Sequence, residues 1–124
     1  MKFLSKFEPQ AYFLLRLIFG FLFATHGAVK MFGILGGPKI PPGANLDYLG
    51  TLIELICGVL VFLGLFTRFA AFIASGEMAV AYFKVHATAN FFPIVNKGEL
   101  AVIYCFVALF IACRGAGKFG IDRS

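Results

Sequence analysis

The stretch from Arg16 to Gly33, RLIFGFLFATHGAVKMFG, is apolar enough to cross a membrane yet carries Arg16, His26 and Lys30. Hydrocarbon tolerates ionisable groups poorly, so such side chains face other helices or a wet cavity and have partners elsewhere. His26 and Lys30 are one helical turn apart and share a face. Arg16 lies on nearly the same stripe, but fourteen residues before Lys30 and so near the other end of the helix. The rest of the chain has to supply their partners.

Working outward, 124 residues leave room for one domain, 1–124. The composition is 60% apolar and 14% charged, with a mean hydropathy of +0.91. Soluble proteins average roughly 45–50% and about 25%. A water-soluble chain of this length needs more polar surface, so an integral membrane protein is expected, with the lipid bilayer as its solvent. Phenylalanine is abundant and tryptophan absent, which leaves Tyr12, Tyr48, Tyr82 and Tyr104 as the expected interfacial aromatics. The net charge is +5, but the basic residues are scattered and form no run. Nucleic acid is therefore not an expected partner, and the charges read as orientation signals.

Cys57, Cys105 and Cys113 all lie within apolar runs, without a CxxC or a Cys/His pair at zinc spacing. Neither a disulfide framework nor a metal site is encoded, and buried free thiols are expected. Lys2 and Lys6 could open a signal peptide. The apolar run after them is too long, contains Arg16 and ends in Lys30, so the segment is expected to be retained.

Four spans emerge, at about 11–32, 46–65, 69–83 and 98–113. Pro9 suits a helix start, where its missing N–H is no loss. At about 1.5 Å per residue the first span crosses a hydrocarbon core of roughly 30 Å. The PKIPPG segment after it predicts an extended, stiff connection. The last span is short, which calls for a locally thinned bilayer or flanking residues drawn inward. The expected fold is all-α, an integral membrane four-helix bundle. Lys2, Lys6, Arg68, Arg114, Lys118 and Arg123 fall on the side of the termini, against Lys39, Lys84 and Lys97 opposite. Both termini are therefore predicted to be cytoplasmic.

Matching depths then brings the charges together. The outer half gathers His26, Lys30, Glu54, Glu77, Lys84, His86, Asn90 and Glu99, with opposite signs on different helices. Attraction at low dielectric, and the cost of leaving any charge unpaired, favour a polar core open to the outer face, with Cys57 on its floor. Each residue also has a plainer reading. Arg16 and Lys84 can snorkel to the interfaces. Lys30 and Glu54 can form a purely structural ion pair. His26 can make an interhelical hydrogen bond as readily as relay a proton or touch a ligand. Gly20, Gly27, Gly58 and Gly64 fit close helix packing. No Ser-His-Asp set, phosphate loop or metal motif appears, so no catalytic residue is assigned.

The run Arg16-x3-Gly20-x5-His26-Gly27-x2-Lys30-x-Phe32-Gly33 resembles the first helix of the DoxX family of small bacterial membrane proteins. Glu54-x3-Gly58 with Gly64, Glu77-Met78 with Ala81-Tyr82-Phe83, and His86 extend the resemblance. So do Asn96-Lys97-Gly98-Glu99 and Gly115-Ala116-Gly117 with Asp122. One departure is Lys97, where members of the family often carry the first of two glycines before the acid. The resemblance implies a multi-pass bundle in the bacterial inner membrane. It implies function more loosely, since some relatives are associated with membrane redox systems, including quinone-linked ones, and others act in assembly.

Two functions are therefore expected. One is a redox-linked membrane subunit that binds a quinone, or a similar small amphiphile, through His26, Lys30, Glu54, Glu77, His86 and Glu99. There His26 would meet the bound carbonyl, the two glutamates would set its protonation and Lys30 would balance their charge. The other is a non-catalytic structural or assembly subunit of a larger membrane complex, or a homo-oligomer, in which the charges only order the helices. Neither makes the chain an enzyme working alone. A transporter is a weaker expectation, because four spans show no inverted repeat and no broken helix.

Overall fold

The computed structural model describes residues 1–37, 39, 43 and 45–122, with no strand among them. Of the PKIPPG segment only Lys39 and Gly43 fall within that range, so its expected stiffness lies outside the described residues. A 3₁₀ segment, Lys2–Phe7, runs into α1, Glu8–Phe32, with Pro9 in its first turn. α1 stops at Gly33, which takes a φ of 66° and donates its N–H to the Val29 carbonyl at 2.9 Å. Left-handed backbone at that position is what a glycine cap provides.

α2 spans Asn45–Leu63 and α3 spans Thr67–Ala81. α3 continues into a π-turn, Tyr82–His86, in which the Ala87 N–H reaches back to the Tyr82 carbonyl at 2.8 Å. A short α4, Pro93–Asn96, leads to α5, Glu99–Arg114. Between them Lys97 adopts a left-handed φ of 63°, a conformation that favours glycine. Two stretches, Lys2–Phe32 and Leu46–Leu63, are long and apolar enough to cross a membrane. α3 with its π-turn reaches about 30 Å and α5 about 24 Å.

The side-chain distribution is the reverse of a soluble protein's. Leu14, Ile18, Phe21, Phe69, Phe72, Phe83, Ile103 and Phe106 are exposed, whereas Arg16, Thr51, Glu54, Thr67 and Ser75 are buried. In water that arrangement is unfavourable on both counts; in lipid it is favourable on both.

α1 packs along α2, α3 packs along α5, and α2 against α3 joins the pairs. The first seam brings backbones together. A Cβ on Gly20 would fall 2.5 Å from the Phe62 nitrogen, and one on Gly58 would fall 2.8 Å from the Ala24 Cβ. Gly27 meets the Leu55 backbone in the same way. Small residues permit this approach, which in lipid supplies much of the association energy. The α3–α5 pair buries Ala70, Ala71, Ala74, Ala101 and Ala108. The Ser75 hydroxyl donates across that pair to the Cys105 carbonyl at 2.8 Å.

Arginines tie the end that carries the termini. Arg16 does not snorkel. It is 1% exposed, and its Nη1 donates to the Val61 and Phe62 carbonyls at 2.7 and 2.8 Å. Those carbonyls close α2, where unsatisfied acceptors and the negative end of the helix dipole favour a cation. Arg68 does the same for α5, donating to the carbonyls of Ala112, Cys113 and Arg114. The Arg114 guanidinium pairs with Glu8 at 2.7 Å, joining the end of α5 to the start of α1.

The tail folds back over this end. The Asp122 N–H donates to the Gly64 carbonyl at 2.8 Å, and its carboxylate accepts the Phe66 and Thr67 N–H groups at 2.9 and 2.7 Å. Slight burial pushes the Asp122 carboxyl up, but hydrogen bonds from Thr67 and Phe66 and the nearby Arg16 charge outweigh it. The net effect holds it below the usual aspartate range.

Three of the four tyrosines are internal rather than interfacial. Tyr12, Tyr82 and Tyr104 are buried, and each has inward work for its ring or hydroxyl. Tyr12 donates to the Gly115 carbonyl, Tyr82 donates to the Phe91 carbonyl, and Tyr104 packs edge-on against Phe19, Phe23 and His26.

Candidate functional site

The end away from the termini is open where the other is tied. Between the α1–α2 and α3–α5 pairs lies a cavity of about 640 Å³, within the usual range for small-molecule sites. α1 contributes Phe23, His26 and Lys30, and α2 contributes Asp47, Gly50, Ile53 and Glu54. α3 and its π-turn add Ile73, Gly76, Glu77, Lys84 and His86, and α5 adds Leu100, Ala101 and Tyr104. Chain order places Phe23, Ile73 and Tyr104 at the deep end, and Asp47, Lys84 and His86 at the mouth. The lining residues recur at three- and four-residue intervals, so each helix turns one stripe inward.

Lys30 forks onto Glu54, with Nζ 3.0 and 3.1 Å from the two carboxylate oxygens. Glu54 is 3% exposed, so its charge is almost wholly removed from solvent, with Lys30 paired to it and the Glu77 carboxyl beside it. Glu77 reaches from α3 towards α2. Its Oε2 lies 3.7 Å from where a Cβ on Gly50 would stand, one turn from Glu54, which is ordinary contact distance and places the Glu77 carboxyl against α2. Its other oxygen, Oε1, is buried with no hydrogen-bond partner among the described residues. Buried polar atoms are nearly always satisfied, so an orphaned carboxyl oxygen on a cavity wall is notable.

His26 is oriented by its own helix. Nδ1 lies 2.8 Å from the Leu22 carbonyl, which can only accept, so Nδ1 carries the proton. In the neutral ring Nε2 is then left with a lone pair, on a residue that lines the cavity. The edge contact with Tyr104, 5.7 Å between centroids, holds the ring plane.

At the mouth the π-turn redirects the chain, as such turns often do at functional sites. His86 stacks on Tyr82 and donates Nδ1–H to the Asn96 carbonyl at 3.3 Å. The Asn96 amide donates to the Tyr82 hydroxyl at 3.1 Å and to the Asn90 carbonyl at 2.6 Å. The connection between α3 and α5 is thereby tied into one network.

Of the residues expected in the pocket, His26, Lys30, Glu54, Glu77, Lys84 and His86 line it and Glu99 does not. Glu99 is exposed at the first position of α5, where the positive end of the helix dipole suits a carboxylate. Asn90 is likewise spent in the loop network. Cys57 is buried in the core, and the deep end is closed by aromatic and aliphatic side chains instead. Sequence reasoning missed Asp47, Lys97 and Tyr104, which also line the cavity. A lone tyrosine in the otherwise apolar run AVIYCFVALFIAC was the available signal for Tyr104.

The described residues, helical without a strand, with an apolar exterior and with charges turned inward onto a cavity, are those of a membrane protein. The DoxX family model matches residues 11–87, and this chain belongs to that family. It is 38% identical to an uncharacterized protein of Haemophilus influenzae over 97% of this chain and 94% of the relative. It is 29% identical to the "Putative oxidoreductase CatD" of Bacillus subtilis, over 88% of this chain and 82% of that one. An uncharacterized membrane protein of Mycobacterium tuberculosis is 26% identical over 93% and 81%. No solved structure matches.

Proposed function

We propose that this chain is a four-span inner-membrane protein, both termini cytoplasmic, that binds a quinone or similar small amphiphile in the outer pocket as a redox-linked membrane subunit. The observation that carries the reading is the orphaned Glu77 Oε1 on the wall of a cavity that His26 also lines. A quinone offers two carbonyl acceptors on an apolar ring, and its reduced form offers two hydroxyl donors. A carboxyl group answers either state, donating when protonated and accepting when ionised. His26 Nε2 accepts a hydroxyl proton from the reduced form. Lys30 balances Glu54, so Glu77 is the carboxyl left to exchange a proton with the ligand. The oxidoreductase in the Bacillus subtilis relative's name accords with redox linkage.

The test is titration of the purified chain in nanodiscs with a decyl-tailed benzoquinone. The native chain binds the probe, and Glu77→Gln and His26→Ala weaken binding by about tenfold each, near 1.4 kcal/mol, while remaining folded. If the native chain takes up no quinone, and none copurifies in gentle detergent, the reading fails. The rival reading, an assembly subunit, predicts instead that these variants lose the folded bundle or its partners.

A further inference from the structure

Gly76 stands apart from the other helical glycines. Gly20, Gly27 and Gly58 sit where another backbone presses against them, and a Cβ on Gly50 would rest in ordinary contact with the Glu77 carboxyl. A Cβ on Gly76 would meet nothing within 4 Å. Glycine weakens a helix interior, and at this position no neighbour demands it. Gly76 lines the cavity and is exposed, one turn before Val80, which does the same at 59% exposure. Across from them on α2, Leu46 and Leu49 also line the cavity at 53% and 50% exposure. Exposed apolar residues of α2 and α3 thus line this flank of the cavity, and the missing side chain at Gly76 leaves space among them.

We infer that the opening at Gly76 is a lateral portal between α2 and α3, in which the apolar tail of an amphiphilic ligand rests while its polar head reaches Glu77 and His26. This rests on the pocket reading above and adds the route and the tail's position. The walls fit the division of labour. The flank offers Leu46, Leu49 and Val80 to a tail, whereas the polar groups lie behind them. A wholly polar solute gains nothing from such a flank and would use the mouth between Asp47 and Lys84.

The experiment compares two probes on the full chain in nanodiscs by calorimetric titration: a decyl-tailed benzoquinone, and the same quinone head without a tail. Gly76→Leu places a side chain in the opening, where its Cβ meets nothing within 4 Å, and gains helix propensity over glycine, so its melting temperature should not fall. The expected result is about tenfold weaker binding of the tailed probe, with the tail-less head unaffected, since a built-in clash discriminates only against what occupies the space. Equal affinity of native and Gly76→Leu chains for the tailed probe overturns the portal. So does an equal loss for both probes, because the side chain would then be filling the head site. Binding of neither probe to the native chain sinks the underlying pocket reading instead.

Discussion

Replacing Gly58 with alanine sets helix propensity against packing, and the structure decides the sign. Propensity alone makes glycine to alanine in a helix interior stabilising by about 1 kcal/mol. At Gly58 the added methyl would stand against the Ala24 nitrogen, 2.7 Å from its Cα and 2.8 Å from its Cβ. Two of these atoms are backbone, so no rotamer change relieves the contact and α1 must move away from α2. Overpacking of a tight seam costs typically 1–3 kcal/mol, and a contact with backbone belongs at the upper end. The net expectation is a loss of about 2 kcal/mol. Moving the helices apart also weakens the contacts at Gly20 and Gly27, which use the same seam. Gly76→Ala is the control, because its methyl enters open space and the propensity gain stands, at about +1 kcal/mol. Unfolding by denaturing detergent in mixed micelles, followed by circular dichroism, measures both. A Gly58→Ala chain as stable as the native one, or more so, refutes the claim that α1 and α2 meet backbone to backbone there.

Three further expectations come from other parts of the chain. Asp122→Ala removes the cap on α3 and should cost about 1 kcal/mol at neutral pH. Because the native carboxyl titrates below its unfolded value, its contribution is complete above that value and fades as pH falls through the folded one. The native–variant difference in stability should therefore vanish in acid, and a difference that persists unchanged to low pH would contradict the cap. Lys30→Met leaves Glu54 buried without its cation and should cost about 2 kcal/mol, below the 3–5 typical of buried pairs because Lys30 is partly exposed. The double variant Lys30→Met/Glu54→Gln should regain part of that loss in the same unfolding assay. Lys97→Gly relieves a left-handed residue and should stabilise by about 1 kcal/mol; no gain would mean that the lysine's place at the cavity mouth compensates.

How far the sequence revealed this molecule depended on range. The helices follow from local signals: Pro9 at the start of α1, Gly33 at its end, and long apolar runs between turns. Pairing by depth found Lys30–Glu54, because two helices with known direction have few ways to match one lysine with one acid. It failed for Glu99 and Cys57, where depth was right but the face around the helix was not. A helix turns about 100° per residue, and four short apolar helices with little amphipathic contrast do not announce which stripe faces inward. Arg16 was undecided for a related reason. Its acceptors are the backbone carbonyls of Val61, Phe62 and Phe119, and backbone acceptors leave no mark in sequence. Lys97 was legible only through the resemblance, which marked a glycine position that the chain then fills with a strained residue.

The contrast between the two ends of the protein bears on which functional reading to favour. At the end with the termini, Arg16, Arg68, Arg114 and Asp122 are all committed to carbonyls, helix N–H groups or a carboxylate of this chain. Even so, the Arg16 and Arg114 Nε atoms and the Thr67 hydroxyl at this end are buried without a hydrogen-bond partner among the described residues. At the far end Lys30 and Glu54 answer each other, but Glu77 Oε1 is left over on the wall of a cavity that His26 also lines. Ordering the bundle does not require that surplus, and leaving a buried polar atom unmade costs about 1–3 kcal/mol. A neutral side chain at position 77 would order the helices at lower cost. The surplus is explained when the missing partner comes from outside the chain, and what separates Glu77 Oε1 from the unpartnered Arg16 and Arg114 Nε atoms at the other end is that Glu77 stands on the wall of a cavity a ligand can enter.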